Sequence, residues 1–102
     1  MAERTLCKLA DAYLDEIPRC WYYNVKDIYT SGLPDRIGCI EGIFWAAELK
    51  DRGKKARKLQ AWVISRIRVA GGNAICTDDF DEFKQFIEQL RVNAVRARGR
   101  IL

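Results

Sequence analysis

The dipeptide Glu41-Gly42 constrains this chain more than any other feature. It lies between two runs rich in β-branched and aromatic residues, and it suits a two-residue hairpin turn. A turn there fixes the register: residue 40 faces 43, 37 faces 46, and 35 faces 48. Asp35 and Glu48 then become direct cross-strand neighbours, with Cβ atoms roughly 5 Å apart. Like charges so placed repel unless something positive stands between them, and a divalent cation is the economical answer. Lys50, two residues beyond Glu48, projects from the same face. Two acids and a lysine at one strand end point to metal-dependent hydrolysis. The competing reading is a surface ion pair between Lys50 and either acid.

Elsewhere the pattern alternates between helix and strand. Residues 3–17 carry Leu6, Leu9, Ala10, Tyr13, Leu14 and Ile17 at helical spacing, and Pro18 ends the run. Glu3 shares the inward stripe with Leu6, Cys7, Ala10 and Leu14. Exposure at the helix end explains an acid there simply, and a ligand role is the sharper alternative. Residues 21–29 read as a strand, and residues 35–40 and 43–50 as the hairpin. Ile37, Cys39, Phe44 and Ala46 lie on the face of Asp35 and Glu48. Gly38, Ile40, Ile43, Trp45 and Leu49 lie on the other, with Gly38 leaving space for the Trp45 indole. Both faces are largely apolar, so the sheet is expected to be covered on both sides. A second helix is predicted over 55–69, with Leu59, Val63 and Ile67 on one side, stopped by Gly71-Gly72. Residues 73–77 form a short strand. Asp78 or Asp79 caps a third helix with the stripe Phe80, Phe83, Ile87 and Leu90. From Arg91 onward the helix lacks a stop signal and is expected to fray. The order αβββαβα predicts an α+β, or mixed α/β, sandwich: one domain over 1–92 and a basic tail over 93–102.

Composition removes several classes of function. The 102 residues suit one compact domain, and 49% apolar residues supply its core. No apolar run matches a membrane span and the N-terminus lacks a signal-peptide core, so a cytoplasmic location without membrane attachment is the default expectation. There is no histidine. Nucleophile–histidine dyads cannot form within the chain, and the base of any hydrolysis must be a carboxylate, a lysine or metal-bound water. Cys7, Cys20, Cys39 and Cys76 are scattered, which argues against structural zinc and for free thiols packed as small apolar groups.

The net charge of +4 matters less than its distribution. From Arg52 to Cys76 the cations are Arg52, Lys54, Lys55, Arg57, Lys58, Arg66 and Arg68, with no acid among them. Arg91, Arg96, Arg98 and Arg100 follow in the tail. Such one-signed blocks fit a polyanion, or a solvated surface with a frayed end. Lys26, Lys54, Lys55, Arg57 and Lys58 are the candidate phosphate contacts. Trp21, Tyr22, Tyr23 and Trp62 could stack on bases, although packing in the core or on the sheet is the favoured reading.

For phosphodiester hydrolysis a metal ion binds a non-bridging oxygen and makes hydroxide available near neutral pH. Asp35 and Glu48 are hard oxygen ligands suited to Mg²⁺ or Mn²⁺, and the Leu49 carbonyl is a further candidate. Lys50 could hold the attacking water or offset developing charge. Gln60, on the second helix beside Ile64 and Ile67, could orient water or phosphate, or be half-exposed and structural.

Gly32-Leu33-Pro34-Asp35-Arg36-Ile37-Gly38-Cys39-Ile40, then Gly42, Ala47-Glu48-Leu49-Lys50, Gln60 and Ala70-Gly71-Gly72 together resemble the VRR-NUC domain, the virus-type replication-repair branch of the PD-(D/E)xK endonucleases. The resemblance runs from Glu3 to about Phe86. It implies a restriction-endonuclease-like sandwich in which a central mixed sheet is flanked by helices. It implies that Asp35 and Glu48 bind the metal, that Lys50 is the catalytic lysine, that Gln60 is the glutamine on the helix after the core strands, and that Glu3 completes the metal site. Stand-alone members are similar to short phage-encoded enzymes that dimerise and cut branched DNA such as four-way junctions. Lys54-Lys55-Ala56-Arg57-Lys58-Leu59 is more basic than the usual pattern, and the basic tail lies outside the family core.

The expectation is a Mg²⁺- or Mn²⁺-dependent, structure-selective DNA endonuclease, acting as a homodimer in the cytoplasm of a phage-infected or prophage-carrying bacterium. A DNA-binding accessory module with an unused site is the main rival. A phage structural or assembly protein is a third reading.

Overall fold

The computed structural model describes residues 1–25 and 32–101, without the side chains of Arg100 and Ile101. Its elements run α1 (Glu3–Asp15), β1 (Cys20–Asn24), β2 (Arg36–Ile40), β3 (Ile43–Leu49), α2 (Lys58–Val69), β4 (Asn73–Thr77) and α3 (Phe80–Ile101). The second part of the expected 21–29 strand lies outside the described residues. The strands form one sheet in the order β1-β2-β3-β4. The first three are antiparallel, and β4 joins β3 in parallel. The fold is the expected mixed α+β sandwich in the expected element order.

The hairpin follows the predicted register. Ile40 pairs with Ile43, Ile37 with Ala46, and Arg36 with Ala47. Glu41 and Gly42 both have positive φ, at 51° and 83°, as the turn that matches strand twist requires. Gly38 lies opposite Trp45. A Cβ on Gly38 would stand 2.7 Å from the indole and 2.6 Å from the Trp21 carbonyl oxygen, so only glycine fits there.

One face of the sheet carries the main core. Ile40, Trp45, Ala47 and Leu49 pack against Leu6, Ala10 and Leu14 of α1 and against Phe83, Ile87 and Leu90 of α3. Full burial of each large side chain contributes about 1.5–3 kcal/mol. On the other face, α2 lays Ile64 and Ile67 on Ile37, Ala46 and Ala74. This cover reaches only part of the face: Trp21, Tyr23, Cys39 and Phe44 remain exposed. The expectation of a sheet covered throughout on both sides fails at the β1 edge.

Two helix boundaries differ from the sequence reading. α2 begins at Lys58 rather than at 55, and its buried stripe is Gln60 and Ile64 with Leu59 exposed. Instead of fraying at Arg91, α3 continues as helix through Ile101. Asp79 caps it, its Oδ2 accepting from the Glu82 N–H at 3.0 Å. All four cysteines are free thiols. Among the described residues, no helix is long and apolar enough to cross a membrane.

Candidate active site

Asp35 immediately precedes β2, and Glu48 is the penultimate residue of β3. The register that pairs Arg36 with Ala47 sets them opposite each other one step further along. Their link is reciprocal. The Asp35 N–H donates to Glu48 Oε2 at 3.1 Å, and the Leu49 N–H donates to Asp35 Oδ2 at 2.9 Å. Each carboxylate is thus anchored by main chain from the opposite strand. The Asp35 carbonyl also accepts from the Val25 N–H, tying the site to the residue after β1.

Glu48 is 3% exposed. Its Oε1 accepts from Gln60 Nε2 at 3.0 Å and lies 3.4 Å from Lys50 Nζ. Burial, and next the charge of Asp35, push the Glu48 carboxyl above its ordinary range, while Lys50 pulls it back. The Lys50–Glu48 contact is an ion pair, but a buried one rather than the surface pair of the simpler reading. Gln60 is held at both ends of its amide: its Oε1 accepts from the Arg57 N–H at 2.9 Å while its Nε2 serves Glu48. The same amide therefore starts α2 and orients the acid. The half-exposed alternative for Gln60 fails, since it is buried.

The structure thus brings together Asp35, Glu48, Lys50, Gln60 and the main chain of Leu49. Glu3 lies on the first turn of α1, where its N–H donates to Asp51 Oδ1, and no contact ties its carboxylate to the pair among the described residues. Among the described residues, no group of three or more acid or thiol side chains gathers in a metal-holding arrangement. Among the same residues, Asp35 Oδ1 accepts no hydrogen bond. The donors at hand are hard oxygens on a two-carboxylate face, a set that fits Mg²⁺ or Mn²⁺, which retain several waters of their own.

Two clefts are lined by neighbours of Glu48, Gln60 in one and Cys76 in the other. One, about 290 Å³, is lined by Gly32, Arg57, Leu59 and Gln60. The other, about 340 Å³, is lined by Lys54, Lys55, Ala56 and Cys76 together with the acids Asp78 and Glu82. Lys54, Lys55, Arg57 and Lys58 are all exposed, and Lys26 lies outside the described residues. Cys76 pairs with Glu48 across β3 and β4 and shares its face, a neighbour that sequence spacing alone did not reveal. Burial, and then Glu48, raise its thiol pKa. Arg36, inside the hairpin motif, also went unread. It grips Asp11 of α1 through two bonds of 2.7 and 3.0 Å on the opposite face, docking the helix beneath the site. Trp21, Tyr23 and Trp62 are exposed rather than packed, contrary to the favoured expectation, while Tyr22 is half-buried and its hydroxyl donates to Asp15.

No protein-family model matches the chain, and no curated protein matches it in sequence. A solved structure described as a VRR_NUC domain superposes with a TM-score of 0.73 at 22% identity, covering 86% of this chain and 97% of that one. On that overlap the chain has the fold of a VRR_NUC domain.

Proposed function

We propose that this protein is a metal-dependent DNA endonuclease that hydrolyses phosphodiester bonds, with branched DNA such as four-way junctions as its expected substrate. The observation that carries the reading is the facing pair Asp35 and Glu48 with Lys50 Nζ 3.4 Å from Glu48. The VRR_NUC fold supports it, because a nuclease is what that neighbour's description names.

Asp35 and Glu48 would hold Mg²⁺ or Mn²⁺ with the Leu49 carbonyl, and Glu3 is the remaining acid of the expected set. When bound, the cation supplies Lewis-acid stabilisation of charge on the phosphate and favours ionisation of water. Gln60 fixes the rotamer of Glu48 and keeps one carboxylate edge turned to the site. Lys50 places a cation where negative charge grows as water attacks in line, and its low exposure raises the worth of that charge. Lys54, Lys55, Arg57 and Lys58 line or border the clefts and would hold backbone phosphates without reading sequence, and Lys26 is proposed with them. Symmetric cutting of a junction needs two such sites, so a homodimer is the expected working form.

Incubating the purified protein with Mg²⁺ or Mn²⁺ and a panel of linear, flapped and four-way DNAs tests this reading. Metal-dependent nicking is expected. Binding with no nicking under any metal would instead favour an accessory DNA-binding module.

A further inference from the structure

We propose that Trp21 and Tyr23 form a stacking platform for unpaired DNA bases beside the acid pair. This deepens the nuclease reading, and rests on it, by naming the substrate class: a strand whose bases are free next to the scissile phosphate.

The alternation of β1 turns Trp21 and Tyr23 away from the main core. They are 62% and 58% exposed. Their rings are stacked on one another, centroids 6.4 Å apart with 12° between planes.

Register places this surface. Trp21 pairs with Cys39, which pairs with Phe44; Tyr23 pairs with Ile37, which pairs with Ala46. These rows lie on the face of Asp35 and Glu48. Tyr23 is one same-face row from Asp35, about 7 Å along the strand.

Charge selects the partner. α2 packs on this face, and the stretch from Arg52 to Cys76 contains no acid. Arg57, Lys58 and Arg66, at the start of α2 and along it, are exposed. Among the described residues, Asp35 and Glu48 are the only acids that the strands place on this face, and Asp15 lines a cleft with Tyr23. A second copy would bring its own cations against these, whereas a polyanion neutralises them. Within polyanions, a duplex keeps its base faces stacked inside, and only an unpaired strand can offer them to aromatic rings.

The test is made without divalent metal, in a Trp62→Phe background where Trp21 is the exposed tryptophan and Trp45 is buried. Oligothymidylate is titrated against a duplex of equal length, and indole quenching is followed. Quenching is expected to saturate with oligothymidylate. In anisotropy measurements Trp21→Ala and Tyr23→Ala should each weaken single-strand binding about tenfold, with Trp21→Phe retaining most of it. Duplex binding should change little. Unchanged single-strand affinity in both alanine variants, or an equal loss for the duplex, would overturn the proposal. So would sedimentation showing that Trp21→Ala splits a homodimer, because the face would then be covered by a second copy. Nicking is not part of this readout. A wild-type protein that binds single strands through these rings but never nicks defeats the hydrolytic reading alone.

Discussion

The Asp35 N–H donates to Glu48 Oε2, and the carboxylate of Asp35 in turn accepts from the residue after Glu48. Two acids that would repel are held face to face by main-chain donors from each other's strands. That arrangement spends hydrogen bonds on keeping negative charges together, which is what a cation site requires and a merely stable surface does not.

Gln60 is the side chain through which α2 controls this pair. Gln60→Leu keeps the bulk but removes the bonds to Glu48 and to the Arg57 N–H. Burial makes the loss costly, about 1–3 kcal/mol. Thermal or urea unfolding of the variant should show destabilisation in that range. Any nicking should fall as Glu48 loses its fixed orientation.

Gly38 tests the packing that sets the hairpin. A methyl there meets the Trp45 indole and the Trp21 carbonyl at once. Gly38→Ala should destabilise by about 1–3 kcal/mol through overpacking, visible as a lower denaturant midpoint with an unchanged slope. Gly42→Ala meets no such wall, so its cost should be confined to the turn.

Glu88 gives a pH signature away from the acids. The Tyr13 hydroxyl donates to it, and Arg91 stands 3.0 Å away. The Tyr13 hydrogen bond, and then Arg91, hold its carboxyl below the ordinary range. A carboxylate depressed in the folded state stabilises above its unfolded pKa, and the gain disappears as pH falls through the folded value. Wild type should therefore lose stability below about pH 4.3. Tyr13→Phe should flatten that acid limb while leaving its shape above pH 6 unchanged, as read by melting curves across pH.

Binding to DNA should weaken steeply with salt, since several phosphates are neutralised at once. Replacing Lys54, Lys55, Arg57 and Lys58 together by alanine should reduce the slope of log affinity against log salt by about 3–4. A flat response in the wild type would remove the polyanion account.

The sequence made the acid pair legible because a two-residue turn leaves no freedom in register, and side chains alternate with period two. The Gly38–Trp45 fit was legible for the same reason. What covers each sheet face was not, because an apolar alternation reads the same whether a helix lies over it or not. Trp21 and Tyr23 are the consequence. The start of α2 was misread because lysine, alanine and arginine are good helix formers, yet the Gln60 amide takes the Arg57 N–H and sets the first turn at Lys58. The continuation of α3 is not legible, because a basic run without a stop signal looks the same whether the helix frays or continues. Arg98, which donates to Glu41 at 2.6 Å, instead ties the last turns of the helix to the hairpin turn. The double role of Gln60 depends on where α2 lands, which spacing does not encode.

The most direct measurement is nicking of a four-way junction by wild type, Asp35→Asn and Glu48→Gln, with Mn²⁺ or Mg²⁺ and with chelator. Wild type is predicted to nick only with the cation, and both variants to lose nicking while still binding DNA at low salt. Wild-type turnover by either variant, or nicking undiminished in chelator, would contradict the assignment of a cation to this pair.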